Sequence, residues 1–279
     1  MGAKACILCG ATPPPPLTGE HIWPDWYNRQ QPNFRYELES VFNGKTQVRP
    51  TQAMNLKPTV LCRPCNNDWG AQLEDRVAPI LTPMMRGKSR ELNASDTQLI
   101  SAWLTLKVMT SEYLLPAGER DRRFFELSDG EHLKATLRPP DLTHIWIGRY
   151  VGSRVSAGWI TDRSSTRQVS DDPPAGIFWH SVVYTIGQVL LHLFASSRPI
   201  PLGDVQEGHL RYHIPVAPAD WDTALIEIWP TPSVAVSWPP KKAFDDDAAV
   251  YLVERWNVQQ SPGAESPSDP PEPPDVGGA

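Results

Sequence analysis

At 279 residues, with 40% hydrophobic residues and 11 tryptophans, the chain is long enough for one domain plus a second unit and too apolar to be disordered throughout. A net charge of −6 excludes a protein that coats nucleic acid through bulk electrostatics. That charge is uneven: residues 1–92 hold 11 Lys and Arg against 8 Asp and Glu, residues 93–279 hold 15 against 24, so a phosphate-facing surface belongs in the first third.

The chain starts Met1-Gly2-Ala3-Lys4-Ala5-Cys6, running into a cysteine where a secretory signal has its apolar stretch. The most apolar run, Val182 to Ala195, is interrupted by Gln188 and His192 and is shorter than the ~18 residues of a spanning helix. The expectation is a cytoplasmic protein without a membrane segment.

Residues 1–85 contain all four cysteines and form the first predicted domain. Trp69, Leu73, Val77 and Ile80 recur at helical spacing and predict a helix over 66–80, with Pro79 and Pro83 marking its end. A second domain is predicted over 93–256. It opens with Asn93-Ala94-Ser95-Asp96, a helix-capping cluster, and continues through Leu99, Trp103, Leu106 and Met109 as one long amphipathic helix closed by Pro116. A shorter helix is expected around 120–127.

Short runs rich in Val, Ile, Trp and Tyr follow at 143–151, 155–163, 177–186, 188–195, 209–216 and 225–229. They predict a mainly antiparallel sheet, with Gly152-Ser153 as a hairpin turn. Residues 245–256 read as a last helix with acids in its first turn. Residues 257–279 carry six prolines, four acids and no base, the composition of a disordered tail. The fold class is α+β.

The cysteines form two Cys-x-x-Cys pairs, Cys6 with Cys9 and Cys62 with Cys65. A two-residue gap lets both thiolates of a pair turn toward one ion, so two pairs complete a tetrahedral zinc shell. A redox pair or unpaired thiols are the alternatives. Between Cys9 and Cys62 lie 52 residues, far more than a simple zinc ribbon holds, so the insert houses something of its own.

Inside the insert stands Gly19-Glu20-His21-Ile22-Trp23-Pro24, and the second pair runs into Asn66-Asn67-Asp68-Trp69, with Leu73-Glu74 beyond. This order resembles the HNH endonuclease family in its zinc-bearing form, over about residues 4–80. The resemblance implies a treble-clef, ββα-metal domain stapled by zinc on Cys6, Cys9, Cys62 and Cys65, acting as a metal-dependent endonuclease on nucleic acid, DNA first. It assigns His21 as the general base, Glu20 and Asn66 as ligands of a catalytic Mg²⁺ or Mn²⁺, and Asn55 as the residue that orients the histidine. The chemistry is coherent: phosphodiester hydrolysis needs a base for water and a cation for the phosphate, and a neutral imidazole suits the first. Gly70 departs from the pattern, since some family members carry a further ligand there.

Two rivals compete with this reading. One is a non-catalytic zinc module that binds nucleic acid or protein, in which Asn66 only caps a helix. The other is an assembly component in which the later sheet, which is also the expected site of any protein partner, matters most. Trp23, Trp26 and Trp69 read as packing around a small metal domain more than as base-stacking platforms. The pair His209 and His213 has metal-binding spacing only on a helix, and its surroundings read as strand.

Overall fold

The computed structural model describes residues 5–11, 16–29, 36–42, 45–51, 56–114, 123–152, 157–166, 177–197, 203–207, 210–214, 224–249 and 252. Helices and antiparallel sheets are mixed along the chain, an α+β architecture. The proposed disordered tail lies outside the described residues. Among the described residues no helix is long and apolar enough to cross a membrane.

The insert between the cysteine pairs begins with β1 (Leu17–Gly19) and a short α1 (Asp25–Asn28). A hairpin of β2 (Tyr36–Phe42) and β3 (Lys45–Thr51) follows, and β4 (Thr59–Cys62) returns antiparallel beside β1, Leu17 opposite Cys62. The register slips between Thr18 and Gly19. Beyond the slip, Glu20 and Ile22 keep the chain against the approach to β4, their amides donating to the carbonyls of Pro58 and Leu56 at 3.0 Å each.

Wide π-type turns over Pro64–Gly70 lead into α2 (Ala71–Met85). The predicted stripe of Leu73, Val77 and Ile80 is buried, but the helix does not stop at its prolines. Pro83 has no N–H for the carbonyl of Pro79, four residues back, and would orphan it. Arg90 supplies the missing donor, its Nη1 lying 3.4 Å from that oxygen, and α2 continues to Met85.

After β5 (Arg90–Leu92), α3 (Ala94–Ser111) starts as predicted. The Asn93 side chain accepts from the amides of Ser95 and Asp96 at 2.9 and 3.0 Å, and Asp96 answers the Asn93 amide at 3.4 Å, a capping box. The expected amphipathic character is overturned: from Leu99 to Ser111 every side of α3 is buried. Three of its small polar residues bond to their own helix, while the buried hydroxyls of Ser101 and Thr110 meet no acceptor among the described residues. Thr97 donates to Ala94 O at 3.1 Å, Thr105 to Ser101 O at 2.8 Å and Ser111 to Val108 O at 2.6 Å.

The next helix, α4 (Leu127–Thr136), begins where the predicted 120–127 stretch was to end. Its start is set by Glu126, whose amide donates to Asp129 at 2.8 Å. Residues 115–122 lie outside the described residues.

A five-stranded antiparallel sheet follows, from β6 (Thr143–Arg149), β7 (Ala157–Thr166), β8 (Ile177–Ile186) and β9 (Val189–Ser196). Two short strands, β10 (Gly203–Glu207) and β11 (Leu210–Ile214), pair with each other, and β12 (Leu225–Trp229) returns to the large sheet, giving the order β12-β6-β9-β8-β7. The strands flanking the predicted turn at Gly152-Ser153 are therefore not neighbours in the sheet, and Ser153 itself lies outside the described residues. β6 takes β12 and β9 as neighbours, and β7 pairs with β8. β13 (Val236–Trp238) pairs with β5, tying the end of the sheet region to the α2–α3 junction.

Side chains alternate across the large sheet. Ile145, Ile147, Val182, Tyr184, Leu191 and Leu193 enter the main core, which is continuous from Cys6 through α2 and α3 to Trp238. Trp146, Val183, Leu190 and Phe194 face a smaller core completed by Phe244, Ala248, Ala249 and Leu252. The first-third segment and the sheet segment thus share one apolar interior, with α3 between them.

Candidate metal centre

Residues Cys6 to Cys9 form a tight knuckle in which the Gly10 amide donates to Cys6 O at 2.9 Å. Gly10 takes a φ of +58°, a conformation that glycine adopts without steric cost. The Ile7 amide donates to Val60 O at 3.2 Å, which docks the knuckle on β4, and β4 itself ends in Cys62. The π-type turns then carry Cys65 back to the same point.

As a result the four sulfurs all lie within 4.8 Å of one another, with Cys9 and Cys62 at 3.7 Å. A tetrahedron with metal–sulfur bonds of ~2.3 Å has edges of about 3.8 Å, so the cluster has the size of a Cys₄ zinc shell. A disulfide needs sulfurs near 2.05 Å, and all four cysteines are free. Burial pushes the Cys6 and Cys65 thiols up, and the neighbouring cysteines add to it. Cys9 goes down: burial opposes ionisation there, but the Ala11 amide and the other cysteines outweigh it. Packed thiols resist ionising together, and a bound dication is what reverses that.

Beside this cluster lies a second polar assembly. Lys107, on the buried α3, points its ammonium at the carboxylate of Glu20, at Glu74 Oε1 2.6 Å away and at the carbonyl of His21 at 2.8 Å. The Lys107 side chain is 0% exposed and that of Glu20 is 8%. All three ammonium protons have acceptors. Burial works against a charged Lys107, but Glu20 and Glu74 outweigh it and hold its pKa above the usual lysine value. For Glu20, burial pushes the carboxyl up and Lys107 draws it part of the way back.

His21 lies at the edge of this cage, 19% exposed, with Nε2 3.0 Å from Asp25 Oδ1. Burial lowers its pKa, with Asp25 acting partly against it, which favours the neutral imidazole. Asn66 donates its side-chain amide to Thr18 Oγ1 at 2.8 Å and Gly19 O at 3.1 Å, clamping the π-type turns to β1. Asn55 lies outside the described residues.

The sequence-predicted residues therefore divide. The four cysteines converge on one point, and Glu20, His21 and Asn66 stand on the adjoining loop and turn. The Glu20 carboxylate and the Asn66 amide are occupied by protein partners. Trp23 is buried and stacks on Tyr184, with ring centroids 6.3 Å apart, and Tyr184 donates to Ile22 O at 2.9 Å. Trp26 and Trp69 pack against the same core. His213 falls in β11, and His209 lies outside the described residues.

Sequence reasoning missed Lys107 and Lys134. A signal for the first was present: one lysine inside Leu104-Thr105-Leu106-Lys107-Val108-Met109 is a charge in an apolar run, which asks for a buried partner. Lys134 had no such mark. Its Nζ lies 3.3 Å from Cys65 Sγ, and that hydrogen bond raises its pKa.

No protein-family profile, no curated protein and no solved structure matches the chain.

Proposed function

We propose that the first third of the chain is a zinc-stapled treble clef of the HNH type that works as a non-catalytic binding module, with nucleic acid as its ligand. The observation that carries this reading is the caged ammonium of Lys107. In an HNH nuclease of the expected kind Glu20 would face a hard divalent ion, but here the cation it meets belongs to the chain itself. Releasing Glu20 to a metal would take from the buried Lys107 its most buried carboxylate and leave it Glu74 and the His21 carbonyl, and breaking a buried pair of this kind costs up to about 3–5 kcal/mol. Mg²⁺ keeps several of its waters and gains little from one carboxylate against that cost.

Nucleic acid is favoured because residues 1–92 carry the positive excess of the chain, whereas the rest is acidic and repels phosphate. Exposed Arg63, immediately before the π-type turns, is one of these basic residues. The structural ion on the four cysteines supplies folding energy to this module and takes no part in bond cleavage.

A second reading, metal-dependent phosphodiester hydrolysis with His21 as base, is favoured by one observation. Burial favours the neutral form of His21, which is partly exposed and within 3.0 Å of Asp25, as suits a general base. One experiment separates the two. Zinc-loaded wild type and His21→Ala are incubated with plasmid and either Mg²⁺ or Mn²⁺, and binding to a labelled duplex is followed in parallel by fluorescence anisotropy. The expected result is saturable, salt-sensitive binding with no nicking by either protein. Nicking by the wild type that disappears in His21→Ala with zinc content unchanged overturns the binding-module reading in favour of the nuclease.

A further inference from the structure

Helix α4 has no place in the two-knuckle plan, since it begins more than sixty residues after Cys65. It nevertheless lies directly on the metal centre. A Cβ on Gly130 would sit 1.9 Å from Ile7 O, so only a glycine lets α4 approach the first knuckle this closely. From the other side, a Cβ on Gly10 would meet the Leu127 side chain at 2.8 Å. The far end of α4 is held to α3, where Gln98 Nε2 donates to Leu137 O at 3.2 Å. Thus anchored, α4 delivers the Lys134 ammonium to Cys65 Sγ.

We infer that α4 is a third element of the metal centre and that Lys134 caps it as an outer-sphere cation, retaining the ion by holding the Cys65 thiolate. The inference rests on the metal centre proposed above. Four thiolates around a dication leave a net charge of −2 in a partly buried place, and an N–H donor to one sulfur offsets part of it. Such a donor also competes with the proton that would release the sulfur from the ion. Outer partners of metal ligands commonly change metal affinity 10–100-fold when removed. The first third would then hold its ion only as well as α4 is docked, which couples the metal to the rest of the fold.

The test uses the full zinc-loaded chain and follows transfer of zinc to a chromophoric chelator. Lys134 is half-buried and belongs to neither apolar core, so Lys134→Met keeps the stem, removes the charge and leaves the core alone. The expected result is zinc release at least about tenfold faster than wild type, from an equal starting zinc content. Lys134→Arg should restore slow release, and Gly130→Val, which forces α4 off the knuckle, should accelerate it again. Equal release from wild type and Lys134→Met, each with one zinc per chain, overturns the cap and leaves the metal centre standing. A wild type that purifies without zinc overturns the metal centre, and the cap with it.

Discussion

Two polar clusters lie side by side where the first third of the chain meets α3 and α4, and they solve one problem in different ways. The Cys₄ cluster gathers groups that could hold a metal ion, and on the proposed reading it leaves most of the compensating charge to that ion. The Glu20, Glu74 and Lys107 cluster gathers two carboxylates and compensates them with a lysine from the chain's own central helix. Buried charge needs a partner in both places. The difference teaches that a carboxylate near a cysteine cluster can take its cation from the chain itself, because what neutralises it depends on which helix packs above.

Removing the outside cation should have the larger effect. Structural zinc in small modules contributes on the order of 10 kcal/mol or more of apparent folding free energy. A strong chelator should therefore unfold the first third, read as loss of ellipticity and a red shift of tryptophan emission from Trp23 and Trp26, with recovery when zinc is returned. An unchanged spectrum after complete zinc removal breaks the comparison at its first member.

Removing the internal cation should come next. Lys107→Met leaves the buried Glu20 carboxylate and the half-buried Glu74 without their cation, and up to about 3–5 kcal/mol of stability should be lost in chemical denaturation. Glu20→Gln and Glu74→Gln added to Lys107→Met should recover most of that loss, because a neutral cluster needs no cation. If the triple variant is as unstable as the single one, the cluster is held by shape and not by charge.

His192 sharpens the comparison with a third solution, a buried ionisable group with no charged partner among the described residues. Its ring bonds to Ser181 Oγ at 2.9 Å, and burial lowers its pKa to about 4. Between that value and the unfolded value near 6.5 the unfolded chain binds more protons, so stability is complete above about pH 6.5 and falls as pH drops. The loss amounts to roughly 3 kcal/mol by pH 4, since each pKa unit is worth about 1.4 kcal/mol. Urea midpoints measured from pH 7 to pH 4 should show this slope in wild type and a shallower one in His192→Gln. Equal slopes would assign the pH dependence to other groups.

Several features of the fold could be read from residues in a row. The Asn93 cap, the strands at 143–149, 177–186, 189–196 and 225–229 and the buried stripe of α2 rest on local pattern, and local pattern is what a chain carries in its own order. The reading went astray wherever the partner was distant. Pro79 and Pro83 looked like a helix end until Arg90 supplied the donor, and α3 looked amphipathic until α2, α4 and the large sheet closed over every side of it. The hairpin at Gly152-Ser153 lost to β9 and β12, which only the closed sheet brings beside β6.

The candidate site divides along the same line. Spacing alone determined that Cys6, Cys9, Cys62 and Cys65 could share one ion, because a two-residue gap sets where two thiolates can point. Only tertiary structure decided what faces Glu20, because Lys107 lies 87 residues away and reaches it through the packing of α3 against α2 and the loop after β1. The reason is physical: ligand spacing is a property of a few adjacent bonds, whereas the partner of a buried charge is chosen by everything that closes over it.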